Sequence, residues 1–320
     1  MGDAPYDGDT NTCIGENGSP QDPCVRYDCS RVNRLPIDNT CTYEGSEFSC
    51  IKNNIIPYIN DKINSGDSAF VLHIGDIIKG RNSGNNKRCS NASFESRRKL
   101  FSQCSNFLLT PGDNEWNECP GYNINSNGGD MRQLWRDKFA AEQSPFHQFS
   151  TDFPSAVGGG RPNIARQINN PENLFFTFNQ VAVFGLNLPA NDNYIENRSP
   201  VDTNSQWIKA NLDKDRCDVK SIVIFGHTNP SSEVDAALQS YYDACSPIPT
   251  LVINGNSHPA TYCMKKSDNR LTLTVEAFHS GPLLVSIVSD TTRSGDHFFH
   301  VKDKDIVNSN GNCPDLSMTD

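Results

Sequence analysis

Cationic excess, long apolar runs and Cys-x-x-Cys pairs are all missing from this chain of 320 residues. Lysine and arginine number 28 against 38 aspartates and glutamates, giving a formal net charge of −10 and a pI near 5.2. Such an acidic balance argues against nucleic acid or an anionic membrane as the main partner. No apolar run approaches the ~18 residues a bilayer span requires, so no membrane span is expected. No signal peptide is read at the amino end, and Met1 is expected to be a start placed on a mature segment. Neither an internal repeat nor an evident linker is present. Residues 1–320 therefore read as a single domain, with a Cys-rich, loop-rich amino segment over 1–49. Apolar residues make up 36%, below the usual share yet enough for a core.

What is abundant is cysteine. Twelve cysteines, an even number, lie mostly in Asn-, Ser-, Pro- and Gly-rich loops. That spacing suits disulfides formed in an oxidising compartment better than zinc ligation, each bond contributing roughly 2–4 kcal/mol. Asn-x-Ser sequons at Asn17, Asn91 and Asn197 point the same way. The expected location is extracellular, or the lumen of the secretory or vacuolar pathway, with most or all cysteines paired.

Periodicity predicts alternating helices and strands. The stretch 50–63 has an apolar stripe of Ile51, Ile55, Ile59 and Ile63 and a bend at Pro57. Buried strands are predicted at 69–74, 106–110, 221–226 and 250–255. Helices are predicted at 92–104, at 130–142 with Asp130 as cap, at 203–212 and at 231–245. Residues 173–187 alternate around Asn179-Gln180, which marks a hairpin. The tail from residue 270 onward reads as three antiparallel strands. Strand–helix alternation followed by strands suggests an α/β sandwich with mixed sheets.

The four buried strands each end in glycine and polar residues. "VLHIGDIIKG" offers Asp76 and "LLTPGDNEW" offers Asp113 and Asn114; "IVIFGHTNP" offers His227 and "LVINGNSHPATY" offers Asn256 and His258. Open sheets bind ligands beyond the carboxyl ends of their strands, so the four clusters are candidates to converge. The order and spacing over roughly 70 to 260 resemble the calcineurin-like metallophosphoesterases, a superfamily that includes purple acid phosphatases. "HIGDIIKG", "RRKLF" and "TPGDNEWNEC" are similar to a secreted branch carrying Gly-Asp-Asn-Glu-Trp. The resemblance implies a four-layer α/β/β/α sandwich with two mixed sheets. It implies that Asp76 bridges metals, that Asp113 stands at an Asn ligand position, and that His227 and His258 are His ligands. Asp3 of "GDAPY" falls at the Asp of the first motif.

The departures from that family are as informative. Pro5 replaces a ligand His, Asn256 replaces the first His of the last motif, and Lys79 replaces the tyrosine typical of purple acid phosphatases. Asn114 stands where the family has the His that protonates the leaving group. Asp76, Asp113 and Asp3 in one pocket would repel, by about 4 kcal/mol per pair at 4 Å and an effective dielectric of 20. Either a cation or a protonated acid must relieve that. One or two divalent ions are the simpler answer. The oxygen-rich set favours Mn²⁺, Mg²⁺ or Ca²⁺, while two imidazoles still permit zinc or iron.

The expected function is metal-dependent hydrolysis of a phosphoric ester, its substrate a phosphate-ester small molecule, at a partly degraded site. The other reading is a catalytically weak or inactive protein with an extracellular binding or structural role and no such substrate. His73, inside its strand, reads as structural or as a support for a ligand. His279, His297 and His300 read as structural, Trp116 as a lid over its loop, and Asp3, Asp7 and Asp9 as a solvated acidic turn in preference to a calcium loop.

Overall fold

The computed structural model describes residues 51–66, 68–78, 91–115, 129–151, 153, 160–188, 200–212, 217–256, 263–267, 270–275, 285–290 and 296–301. A π-helical turn, Ile51–Ile55, leads into α1 (Ile56–Asn64), and Pro57 sits in the first turn of α1. All four isoleucines of the stripe are buried, at 4% exposure or less. The chain continues through β1 (Val71–His73), α2 (Asn91–Phe101), β2 (Phe107–Leu109) and α3 (Gly129–Trp135), which runs into a second π-helical turn, Arg136–Ala140. Then come β3 (Ala165–Arg166), β4 (Leu174–Phe178), β5 (Val181–Gly185), α4 (Pro200–Asn211), β6 (Ser221–Phe225), α5 (Ser232–Cys245) and β7 (Thr250–Asn254). The last strands are β8 (Cys263–Ser267), β9 (Arg270–Thr274), β10 (Val285–Asp290) and β11 (Asp296–Val301). The fold is mixed α/β.

Strands β1 and β2 form a parallel pair, and seven strands form a mixed sheet in the order β3-β4-β5-β6-β7-β9-β8. The period of two along each strand sorts the core. Leu108 of β2 faces Val183, Val223, Phe225, Leu251 and Ile253 of the large sheet in one cluster. Phe107 and Leu109, on the other face of β2, pack with Phe94, Leu100, Trp135 and Phe139 of the helices. On the large sheet, Phe184, Ile222, Ile224 and Val252 turn the opposite way, onto Ile208, Val234, Leu238 and Tyr241 of α4 and α5. Both faces of the central strands are thus covered, which is why β5, β6 and β7 read as unbroken apolar runs.

The hairpin at β4–β5 closes through Asn179 and Gln180, both at positive φ (49° and 62°), the twist a two-residue hairpin turn demands. Ser231 caps α5 by accepting the Val234 N–H at 3.4 Å. The tail departs from the expected three antiparallel strands. β9 pairs parallel with β7 and antiparallel with β8, a strand the sequence reading passed over, while β10 and β11 form their own antiparallel pair. The turn chemistry that would have revealed β8 is weak, because "MKKSDNR" reads as a polar loop. The helix expected at 130–142 begins at Gly129, one residue before Asp130. Cys217 and Cys245 are bonded, tying the entry of β6 to the end of α5, while Cys104 is a buried free thiol pushed up to about 12 by burial. Among the described residues no helix is long and apolar enough to cross a membrane.

One buried charge anchors the entry to β4. Glu172 has no exposed surface and accepts from Arg132 and from Arg136, which donates through Nε at 2.9 Å. The two arginines are one turn apart, so a single carboxylate spans both. Burial works against its charge, but Arg132 and Arg136 outweigh that and hold its carboxyl below the usual value of 4.5. Its folded value being lowered, its stabilisation is complete above 4.5 and is lost as pH falls through the folded value. Glu172→Gln should destabilise by about 2–3 kcal/mol, less than the 3–5 typical of a fully buried pair because the arginines keep some water. Thermal melts of both proteins should converge as pH drops below 4.5; curves that stay parallel would show that the charge is not the stabilising element.

Candidate metal centre

The parallel pairing of β1 and β2 brings their carboxyl ends side by side. Thr110 donates its N–H to His73 O at 3.0 Å, extending the ladder by one bond. Beyond it the backbone turns sharply through Gly75 (φ +94°) and Asp76 (φ +56°). A Cβ at Gly75 would run into the backbone of Pro111 and Gly112, and a Cβ at Gly112 would overlap the Asp76 carboxylate. Glycine is needed at both because the two ligand-bearing turns touch backbone to backbone. Asp76 itself carries the strain of a left-handed conformation, a cost of order 1–3 kcal/mol that tends to mark functional positions.

β6 and β7, parallel neighbours in the large sheet, present their ends to the same place. Gly255 and Asn256 both donate N–H groups to His227 O at 3.1 Å, which locks the two loops together. His227 is fully buried, and Asp76 and Asp113 are 2% and 6% exposed. Nε2 of His227 lies 3.4 Å from Asp76 Oδ2, 3.4 Å from Asp113 Oδ1 and 3.1 Å from Asn256 Oδ1. Its other nitrogen, Nδ1, lies 3.2 Å from Ile74 O. A carbonyl only accepts, so Nδ1 carries the proton and donates it there. When Nε2 is unprotonated, the imidazole aims its lone pair at two carboxylates. That arrangement asks for a cation, and a backbone carbonyl holding the far nitrogen is the usual support of a metal-bound histidine. One ligand atom each from Asp76, Asp113 and His227 falls within 4.8 Å of the others. Burial works against the charge of Asp113, but with Nε2 protonated the hydrogen bond and charge of His227 outweigh it and hold its carboxyl below the ordinary value; a bound cation takes over that role when Nε2 is unprotonated.

Of the expected site residues, Asp76, Asp113, His227 and Asn256 meet. Asn114 is buried at 8%, and its N–H donates to Asp76 Oδ1 at 3.1 Å. Asp3 and His258 lie outside the described residues, as do Lys79, Trp116 and His279. His73 is fully buried between Phe101 and Phe107, ring centroids at 5.3 and 5.6 Å, and its Nδ1 accepts the Gly75 N–H at 3.2 Å. It shapes the turn that presents Asp76, and burial keeps it well below its ordinary value, hence neutral. His297 and His300 fall on β11, opposite Ser289 and Ser286.

Sequence reasoning gave Glu115 no role. It has no exposed surface and accepts four backbone N–H bonds, from Gly112 (2.5 Å), Asp76 (2.9 Å), Ile77 (2.5 Å) and Ile78 (3.2 Å). Burial pushes its carboxyl up to about 7, against the pull of those N–H groups. The one signal was a third acid-or-amide side chain following Asp113 and Asn114 at a strand end.

No family model matches the chain, and no curated protein matches it. Among solved structures, the chain is similar to the 5′-nucleotidase from Candida albicans, at 14% identity and a TM-score of 0.35 over 70% of this chain and 39% of that one. It is also similar to the sulfate thiohydrolase SoxB from Thermus thermophilus in complex with glycerol, at 13% identity and a TM-score of 0.34 over 77% and 41%. The chain spans about two fifths of the length of each.

The close approach of Gly112 to Asp76 yields a test of the geometry. Gly112→Ala should push the Asp76 carboxylate off its position and weaken Mn²⁺ binding, followed by calorimetry, by at least about 10-fold, as loss of ligand support does. Unchanged affinity would show that the Asp76 carboxylate is not a ligand.

Proposed function

We propose that the chain is a divalent-cation-dependent phosphoric-ester hydrolase of the metallophosphoesterase type, with a reduced centre. The observation that carries this reading is His227, whose Nδ1 is committed to Ile74 O and whose Nε2 points at two buried carboxylates. Helices packed on the outer faces of two facing sheets support the layered sandwich expected of that type. The donor set of two carboxylates, one imidazole and an amide oxygen fits Mn²⁺ or Mg²⁺ well and admits zinc or iron. Asp3 and His258 complete the proposed set.

When bound, the cation supplies positive charge to the phosphoryl oxygens and a more acidic water. Asp76 and Asp113 would fix the cation's position from strand ends braced against each other, and the Nδ1 bond to Ile74 O orients Nε2 of His227 toward it. Asn114 occupies the proton-donor position of the family the chain resembles. An amide gives up no proton near neutral pH, so the chain withholds an aid typically worth about 10²–10⁴-fold from leaving groups that need protonation. Substrates with acidic leaving groups lose least.

A second reading is favoured by that same Asn114. A site that keeps cation and phosphate affinity without a proton donor suits an extracellular binding or structural role. The Cys217–Cys245 bond and the exposed sequon residue Asn91 support a secretory-pathway or extracellular location.

Purified protein supplied with Mn²⁺, Mg²⁺ or Zn²⁺ should hydrolyse nitrophenyl phosphate or phosphodiester faster than alkyl esters. Asn114→His should raise the alkyl rate by one to a few powers of ten, and Asp76→Asn should abolish both turnover and cation binding. Efficient alkyl hydrolysis by the unaltered chain would mean another residue supplies the proton. No turnover on any ester, in either protein, would favour the binding role.

A further inference from the structure

We propose that Glu115 is a positioning residue for the cation centre, a carboxylate strut that sets the spacing of Asp76 and Asp113 without touching the ion. This rests on the reading that Asp76, Asp113 and His227 hold a divalent cation. Glu115 belongs to the turn after β2, yet three of its four partners are on the turn after β1. Oε2 accepts from Asp76 N and Gly112 N, and Oε1 accepts from Ile77 N and Ile78 N. Each oxygen has two lone pairs, so the N–H groups use the whole accepting capacity of the carboxylate and leave none for a metal.

The brace is reciprocal. Asp76 Oδ1 accepts the N–H of Asn114, the residue before Glu115, at 3.1 Å. Each ligand-bearing turn therefore holds the other through an acid of opposite origin. Arg97 of α2, 4% exposed, adds a third hold by donating Nε to Ile77 O at 2.9 Å. Ile77, the residue after Asp76, is thus held at its N–H by the Glu115 carboxyl and at its C=O by the Arg97 guanidinium. A residue held at φ +56° relaxes unless its neighbours over-determine it, and these contacts do so.

Glutamine at position 115 keeps one oxygen and opposes two of the four N–H groups with its own NH₂. Glu115→Gln should weaken Mn²⁺ binding about 10–100-fold, the usual effect of removing a ligand's support. Glu172→Gln removes the other buried carboxylate braced by Arg132 and Arg136, and serves as control. Both variants and the wild type are titrated with Mn²⁺ at a temperature where all are folded. A merely structural Glu115 predicts equal affinities in the two variants, and that result would overturn the proposal, as would Glu115→Gln binding within about 3-fold of wild type. Amide hydrogen exchange of the unaltered protein is a second reading that needs no variant. The N–H groups of Asp76, Ile77, Ile78 and Gly112 should rank with the slowest of the core strands, and exchange as fast as in an exposed loop would overturn the strut. A wild type that binds no Mn²⁺ at all would sink the cation reading and the strut with it, whereas loss confined to Glu115→Gln separates the two.

Discussion

The structure is organised around a charge imbalance. Two carboxylates, at most 6% exposed, converge on one imidazole nitrogen whose partner nitrogen is already spent on a backbone carbonyl. Repulsion between the acids alone is about 4 kcal/mol at 4 Å and an effective dielectric of 20. A fold that holds them together must tolerate that cost or bind something positive. The features nearest the site serve this convergence: glycines where the two turns touch, a strained Asp76, a neutral His73 under the turn, and a saturated Glu115 behind it.

The sheets explain how four separated segments reach one point. β1–β2 and β6–β7 are parallel pairs, so within each pair both carboxyl ends lie at the same edge. The shared apolar cluster that includes Ile74, Leu108, Phe225 and Ile253 lies directly beneath the polar turns. β1 and β2 are only three residues long, and each continues at once into its polar turn. Short strands leave little ladder to set their spacing. The hydrogen bonds that Glu115 and the Asp76 side chain accept extend the pairing past the point where regular strand geometry stops.

Much of this was legible in the residues. The apolar runs of β6 and β7 marked them as buried strands, and the isoleucine stripe marked the buried side of the helical stretch that opens the described chain. The Gly-polar endings of four strands located the site, because only a chain that turns sharply at a strand end places a carboxylate there. What escaped reading had no local signature. β3 is two residues long, and β8 is rich in lysine. Glu172 and Glu115 look like ordinary surface glutamates in sequence. Their burial depends on partners more than 35 residues away, Arg132 and Arg136 for the first and Asp76 through Ile78 for the second.

The amide at position 256 bears most directly on what kind of centre this is. Its Oδ1 lies 3.1 Å from His227 Nε2, two groups that both present lone pairs in the neutral tautomer. An amide differs from an imidazole in offering a donor and an acceptor at one rotatable end. Turned one way, Asn256 hydrogen-bonds Nε2 through its NH₂ and satisfies the histidine without a cation. Turned the other, it offers a neutral oxygen to the cation that the two acids and that same nitrogen are proposed to hold. The family resembled by this chain has histidine there, which must lose a proton to ligate and brings a softer donor. Asparagine removes that titrating ligand and shifts the set toward oxygen, and therefore toward hard ions that exchange readily. On the proposed reading, Asn114 at the proton-donor position acts in the same direction as Asn256: the two amides preserve a place for a cation and lessen what the chain itself contributes to bond breaking.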